Sequence, residues 1–496
     1  MAETFRNYIG GEWRAAVKGA TFESLNPAHT GEVIGVFQRS TAEDVALAVE
    51  AAASAQRAWR EVPVPERGEV LYTVARLMEE RKEELAQLMT REMGKVIKEA
   101  RGDVQEGIDM AKYIAGEGRR YFGQTVPSEL RRKFCMTVRQ PLGVVGLITP
   151  WNFPIAIPCW KMMPALLCGN AVVLKPAEDT PACATRLVEI FVAAGFPAGV
   201  INLVTGYGEE AGQPLLEHPR VAAISFTGST EVGRLIGATC GQNLKRVSLE
   251  LGGKNAIVVM DDADLDLVID GAIWGGFGTA GQRCTASSRL IVETGVYAEV
   301  QDRLVARAEA LTVGDGLRSE VEVGPLVNAD QLRRVDSYTG IGRADGARLL
   351  TGGRVLTEGG LSDGYFYAPT VFADVEAHMR IAQEEIFGPN ISVIPVDNFE
   401  RAIEVANGTQ YGLSLSIYTR DVNKAFQAIN ELESGIVYVN APTIGAEIQL
   451  PFGGIKGTGN GHREAGTTAI DQFSEIKSVF VDYSGHLQRA QIDNRE

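Results

Sequence analysis

What most limits the fold of this chain is a change of pattern at Leu142. From there, short apolar runs rich in Val and Ile (LGVVGLIT, AVVLKP, VINLVTG, VAAISFTG, RVSLELGG, NAIVVM) alternate with helical stretches such as 184–194. Continuous apolar runs of about five to eight residues are what strands buried on both faces look like. Their alternation with helices predicts an α/β fold built on a doubly wound parallel sheet. A second α/β stretch is read from about 286 to 439. The first third reads as largely helical: Thr41 caps a segment with Val45, Ala48, Val49, Ala52, Ala55 and Trp59 on one face, and 65–93 continues in that style. With 496 residues the chain is long enough for two to four domains at roughly 150 residues each. Two pieces fit neither pattern, 125–139 and the late strand 475–483; lone strands need a partner, and a second subunit is a candidate.

Lys and Arg number 48 against 63 Asp and Glu, a net charge of −15. So acidic a chain repels phosphate backbones and anionic headgroups, which argues against nucleic acid or a membrane surface as partner. The opening residues, MAETFRNYIGGEWR, lack the basic-then-apolar pattern of a secretion signal. The longest uncharged run, between Arg139 and Lys161, holds Pro141, Pro150, Pro154 and Pro158, which would leave backbone groups unpaired in lipid; it is expected inside protein. Six cysteines show no CxxC or CxxxH spacing, and the five histidines no ligand pairing. Reduced thiols in a cytoplasmic compartment and no protein metal site are the expectation.

Several segments carry residue types suited to chemistry. Phe226, Gly228, Ser229 and Gly233 follow the run VAAISF and open a helix, where free N–H groups and the positive dipole end suit a phosphate; an ordinary strand-to-helix turn looks the same. Gly206 and Gly208, in GYGEEA, approximate a dinucleotide fingerprint but rank below 228–233. Lys175 and Glu178 end the run AVVL, where open α/β sheets bind ligands, and are spaced to grip ribose hydroxyls or simply to face solvent. Cys284 has glycine and polar neighbours and an adjacent Arg283 that favours thiolate, whereas Cys135, Cys159, Cys168, Cys183 and Cys240 read as structural. Glu250, in apolar surroundings, is expected to have a raised pKa suited to a general base, or else to pair with Lys254. Asn152, between two prolines, is an oxyanion donor or a turn former.

Taken in order, TPWNFP (149–154), KPAE (175–178), FTGSTEVG (226–233), ELGGKN (250–255), GQRC (281–284), EEIFGP (384–389) and PFGG (451–454) resemble the aldehyde dehydrogenase superfamily over essentially the whole chain. The resemblance implies a Rossmann-like cofactor domain (1–121 and 142–252) and an α/β catalytic domain bearing Cys284 (253–452). It adds a small β bridging or oligomerisation element (122–141 and 470–496), with 453–469 as a returning segment, and hence a homodimer or homotetramer. It also implies a mechanism. Cys284 attacks the aldehyde carbon, the Asn152 amide and a backbone N–H hold the oxyanion, hydride passes to a nicotinamide, and Glu250 activates the water that hydrolyses the thioester. Cofactor contacts would come from Pro150, Trp151, Lys175, Glu178, Gly208, Phe226, Gly228, Ser229, Gly233, Leu251, Gly252, Glu385 and Phe387. A carboxylate at Glu178 repels a 2′-phosphate, so NAD is expected, with NADP possible.

Within the superfamily, NAPTIGAEIQLPFGG (440–454) and VQE (104–106) resemble the antiquitin-like and α-ketoglutarate semialdehyde branches. In the antiquitin branch the arginine at the position of Arg283 helps grip the substrate's distal carboxylate, with a glutamate at the position of Glu106 nearby. This implies an ω-semialdehyde acid such as α-ketoglutarate semialdehyde. The loop GAEIQLPFGG lacks antiquitin's glycine-rich character, which counts against aminoadipate semialdehyde. If Arg283 merely pairs with Glu106, the substrate is instead a neutral aliphatic or aromatic aldehyde. Phe153, Ile157, Trp160 and Phe452 would wall the tunnel or be plain core, and 458–466 carries one residue more than the commoner form of its motif. Glu250 argues against the acylating branch, in which coenzyme A takes the thioester. Cys284 and Glu250 together argue against a silent nucleotide-binding structural protein.

Overall fold

In the computed structural model, which describes residues 2–493, the strands gather into two seven-stranded sheets. The first runs Arg246–Glu250, Val221–Thr227, Val144–Thr149, Ala171–Pro176, Ile201–Leu203, Asn7–Ile9 and Glu12–Arg14. Its first five strands are parallel, and the last two are antiparallel additions. Ala171–Pro176 is buried at every position, which is why its sequence shows no polar alternation. Strand order reverses at Val144–Thr149: the chain steps from it to Ala171–Pro176 on one side and later returns to Val221–Thr227 on the other. A crevice opens at the carboxyl ends of strands at such a reversal. Here it receives residues 150–152 from one strand and 228–229 from its neighbour.

The second sheet runs Arg348–Thr351, Thr370–Ala373, Asn390–Val396, Ser287–Glu293, Asn255–Val259, Ser414–Tyr418 and Ile436–Val439, parallel except for its first strand. Residues 251–254 alone join Glu250, at the carboxyl end of one sheet, to Asn255, at the amino end of the other. That short crossing brings the reversal crevice against the segment leading into Ser287–Glu293.

The first third departs from the helical expectation. Four strands precede the helices, and Thr21–Asn26 with His29–Gln38 forms an antiparallel hairpin. Their short runs, interrupted by charge and Pro27, carry little periodicity to read. The helix Ala42–Trp59 buries Val45, Ala48, Val49, Ala52 and Trp59, and the Asp44 carboxylate accepts from the Thr41 N–H at 2.9 Å. The following stretch is two helices, Val64–Glu80 and Lys82–Met93, before Ile97–Glu117. The uncharged run after Arg139 ends in a helix, Ala156–Leu167, buried at every position. Among the described residues no helix is long and apolar enough to cross a membrane.

The two leftover strands pair with each other. Ser474–Asp482 pairs antiparallel with Lys133–Pro141 from Ser474↔Pro141 to Asp482↔Lys133, and Thr125–Pro127 completes a three-stranded sheet. Phe134, Ile476, Phe480 and Val481 of this small sheet remain exposed. The outermost residues of two expected parts, Met1 and 494–496, lie outside the described residues.

Candidate active site

Helix Leu265–Phe277 ends in a tight turn, Gly278–Gly281, in which Thr279 and Ala280 both take φ of 52° and Gly281 of 69°. Left-handed backbone costs a residue with a side chain roughly 1–2 kcal/mol, so the turn must be held from outside. Glu99, on Ile97–Glu117, holds it: its carboxylate accepts from the Thr279 N–H at 2.8 Å, the Thr279 hydroxyl at 3.2 Å and the Arg283 guanidinium at 2.7 Å. At Gly281 a Cβ would stand 2.0 Å from the Gly388 carbonyl oxygen, a close approach only glycine permits. Beyond the turn, Asn255 Nδ2 donates to the carbonyls of Cys284 (2.7 Å) and Ala286 (3.0 Å). Asn152 Nδ2 donates to the Gln282 carbonyl at 3.0 Å, which leaves its second amide hydrogen free beside Cys284. Cys284 is thus fixed at the amino end of Ser287–Glu293 by contacts from both sheets.

Of the six cysteines, Cys284 alone is not fully buried. It lies where two cavities meet, sharing that junction with Ile157, Thr227 and Leu251. The smaller cavity, about 120 Å³, is walled by Glu106, Phe153, Trp160, Arg283 and Phe452 and reaches Glu250. The six positions expected to contact substrate therefore come together around one space. Trp160 and Phe452 meet there edge to face at 4.9 Å, as aromatic pairs prefer.

The larger cavity, about 270 Å³, is lined by Pro150, Trp151, Gly228, Ser229, Gly252, Glu385 and Phe387, together with Asn152 and Cys284. Its features suit a dinucleotide. Ser229 caps the 13-residue helix Thr230–Gln242, its hydroxyl accepting from the Val232 N–H at 3.3 Å, and so presents a helix start to the cavity. The buried hydroxyls of Thr227 and Thr230 have no partner of their own. A Cβ on Gly252 would meet Glu385 Oε2 at 2.4 Å, so the wall is bare backbone there. Lys175 and Glu178 pair with each other at 3.1 Å beyond this lining. Phe226 and Gly233 are packed behind it, Gly233 against Leu251. Gly208 begins a separate helical turn, Gly208–Gly212, and does not reach the cavity.

Some residues here had no local signal. Gln331 and Arg334, from Ala329–Ala344, line the larger cavity and hold its loop: Gln331 Nε2 donates to the Phe387 carbonyl at 2.6 Å and Arg334 Nη2 to the Glu385 carbonyl at 2.6 Å. That loop needs support, since Phe387 sits at φ 63°. The segment with the extra residue laces along Arg246–Glu250: Asn460 Oδ1 accepts from the Leu249 N–H, and the Leu251 N–H donates to the Thr458 carbonyl. It thereby delivers Glu464 to an ion pair with Lys161, whose Nζ also donates to Ser225 Oγ at 2.9 Å.

The electrostatics decide three readings of the sequence. Arg283 does not activate Cys284: it turns away to Glu99, and burial, followed by the nearby Glu385 and Glu250 carboxyls, pushes the thiol up to about 12. Nor does Lys254 pair with Glu250. Both Glu250 oxygens and Lys254 Nζ are buried without partners, because the 251–254 crossing sends the two side chains to different sheets. Burial, then the neighbouring Arg289 charge, lowers the Lys254 amine to about 7. Burial, reinforced by Glu464 and opposed by Lys161, raises Glu250 well above the ordinary carboxylate range. The site therefore favours the thiol form of Cys284 and the protonated form of Glu250, beside the Lys161–Glu464 ion pair. The alternative for Arg283, an ion pair with Glu106, is also absent: Glu99 takes the guanidinium, and Glu106, in the cavity wall, acts on it only through space.

A nucleophile at the junction of a small cavity and a larger one that opens on a helix start suits oxidation of a carbonyl compound through a covalent thioester. Comparison with known proteins agrees. The aldehyde dehydrogenase family model matches residues 13–479. The chain is 46% identical to the α-ketoglutaric semialdehyde dehydrogenase of Bacillus subtilis over 96% of its own length and 98% of the relative's. It is 42% identical to an α-ketoglutarate semialdehyde dehydrogenase of Haloferax volcanii, covering 97% and 100%. Among solved structures, betaine aldehyde dehydrogenase of Staphylococcus aureus in complex with NAD+ superimposes with a TM-score of 0.95 at 34% identity, covering 97% of this chain and 95% of that one. The chain belongs to the aldehyde dehydrogenase family and is an oxidoreductase acting on aldehydes with NAD(P).

Proposed function

We propose that this enzyme oxidises an ω-semialdehyde acid such as α-ketoglutarate semialdehyde, with NAD preferred over NADP. The observation that carries the reading is the substrate cavity itself: Cys284 at its cofactor end, Arg283 and Glu106 toward the outside, and apolar walls of Phe153, Ile157, Trp160 and Phe452 between. About 120 Å³ suits a short chain, and an Arg beside a protonatable carboxyl suits a carboxylate at its far end. The two semialdehyde relatives support the same substrate class.

In the mechanism the Cys284 thiol releases its proton to solvent water and its sulfur bonds to the aldehyde carbon as the carbonyl π pair moves to oxygen, and the free amide hydrogen of Asn152 donates to the oxyanion that forms. NAD, when bound, supplies the hydride acceptor. Pro150, Trp151, Gly228, Ser229, Leu251, Gly252, Glu385 and Phe387 would hold it, with Lys175 and Glu178 toward its adenosine ribose and Phe226 and Gly233 shaping the cradle from behind. Gly208 has no place in this assignment. Glu250, in the ionised form that Lys161 favours, takes a proton from the water that cleaves the thioester. Residues 1–121 with 142–252 form the cofactor domain, 253–452 the catalytic domain, and the small sheet the bridging element. Its exposed apolar side chains support a homodimer or homotetramer, and six free thiols support a cytoplasmic setting.

Initial rates across matched aldehydes test the substrate. Succinate, glutarate and α-ketoglutarate semialdehydes should exceed butanal, hexanal and benzaldehyde in kcat/KM by roughly tenfold or more, about 1.4 kcal/mol. An Arg283→Met variant should lose that margin; equal rates for both groups would make this a broad-range enzyme. A pH effect accompanies it. Burial, then the Asp103 carboxylate, raises Glu106 to about 8, so it is neutral at pH 7 and able to donate. As pH rises through 8 it ionises and repels a carboxylate. The KM for semialdehyde acids should climb several-fold between pH 7 and 9, that for butanal should not, and Glu106→Gln should flatten the difference.

A further inference from the structure

Outside the substrate cavity lies a second space of about 690 Å³, sharing Glu106, Phe153, Arg283 and Gly445 with it. Arg283 stands in this partition. Its Nε donates to Thr279 Oγ1 at 3.0 Å and its Nη2 to Glu99 Oε1 at 2.7 Å, so the Nε–Nη2 edge of the guanidinium is already occupied and its Nη1 end is what remains for a carboxylate. Both partners are largely buried, their side chains 11% and 12% exposed, so solvent screens the pair little. The adjoining cation is matched in the same way: Lys95, 3.7 Å from the Phe153 ring centroid, is fully buried against Asp103 at 2.8 Å. Each cation near the substrate thus has its own carboxylate, and the wall carries no surplus positive charge.

The strained turn does not require the charge on Glu99. An amide oxygen at that position would still accept the Thr279 N–H, and an amide nitrogen could donate to the Thr279 hydroxyl oxygen. What only a carboxylate supplies is neutralisation of Arg283. The reaction converts a monoanionic aldehyde into a dianionic product in the same cavity, and an unmatched guanidinium would hold that product hard.

We propose that Glu99 sets how firmly the enzyme grips the far carboxylate of its substrate, by occupying and neutralising Arg283 from the outer cavity so that substrate is recognised and product is released. Glu99 touches neither substrate nor cofactor; it is a positioning residue that works through Arg283. The inference rests on the semialdehyde-acid reading above.

The test compares Glu99→Gln with the wild-type enzyme using succinate semialdehyde and butanal, which match in chain length, and succinate as product inhibitor. The readout is the ratio of the two KM values within each enzyme, because a general loss of turn geometry would move both aldehydes together. Removing one buried negative charge beside Arg283 should shift this ratio roughly tenfold in favour of the semialdehyde and tighten succinate inhibition by a similar factor. If Glu99→Gln is not obtained folded, Glu99→Asp, which keeps the charge but withdraws it by one methylene, should shift both quantities the same way by about threefold. An unchanged ratio, or one moved toward butanal, overturns the proposal and leaves Glu99 as a brace for the turn. A wild-type enzyme that does not distinguish the two aldehydes overturns the substrate reading itself, and the role of Glu99 with it.

Discussion

Replacing Cys284 by serine is expected to lower aldehyde oxidation by on the order of a thousandfold or more while nucleotide affinity stays within about twofold. The argument rests on protonation and leaving-group chemistry. Burial and two nearby carboxyls already push the thiol up to about 12, so the site has no reserve with which to ionise a hydroxyl, whose ordinary pKa is far higher. The little ester that forms would then part from a poorer leaving group than a thiolate. Serine is close in size, and the loop is held by contacts that do not involve sulfur: Asn255 to the Cys284 carbonyl, Glu99 to Thr279, and Asn152 to the Gln282 carbonyl. The fold and the larger cavity should therefore survive. Trp151 lines that cavity in edge contact with Phe387 at 5.4 Å, so quenching of tryptophan fluorescence by NAD can follow binding in both proteins. Retained turnover would move the nucleophile elsewhere, yet the other five cysteines are all buried.

How much of this was readable beforehand depends on how local the cause is. The parallel strands announced themselves because a strand covered on both faces must be apolar at every position, as Ala171–Pro176 is. Of the crevice residues, 228–229 followed because they come directly after such a strand, whereas Pro150 and Trp151 came with the family resemblance. The amino-terminal hairpin did not announce itself, because strands of mixed burial such as Thr21–Asn26 leave no clean period of two. Cys284, Glu250 and Asn152 stood out by their neighbours in sequence. Their controlling partners could not: Glu99 lies 184 residues from Arg283 and Glu464 303 residues from Lys161, and only folding makes them neighbours. The same holds for Gln331 and Arg334, whose helix carries no glycine-rich or strand-end signature. The adjacency of Arg283 to Cys284 misled for a related reason. Consecutive residues at a turn point in different directions, and the guanidinium was claimed by a helix from the far end of the chain.

Glu250→Gln is expected to separate the two halves of the reaction. Its first turnover should proceed, giving a burst of about one reduced nucleotide per subunit, while steady-state turnover falls by about a hundredfold to ten-thousandfold. Glutamine fills the same volume and removes a buried carboxyl whose oxygens have no hydrogen-bond partner, so the variant gives up no protein contact. What it gives up is the base. Only the ionised form of Glu250 can accept a proton from water, and burial with Glu464 nearby holds that form back, opposed by Lys161. Because this pKa lies well above the usual range, hydrolysis in the wild-type enzyme should rise with pH until the carboxyl ionises. The glutamine variant should lack that limb while its burst remains. Loss of burst and steady state together would place Glu250 earlier, as the group that deprotonates Cys284. A flat pH profile in the wild-type enzyme would mean that Lys161, fully buried beside it, outweighs Glu464 and keeps Glu250 ionised throughout.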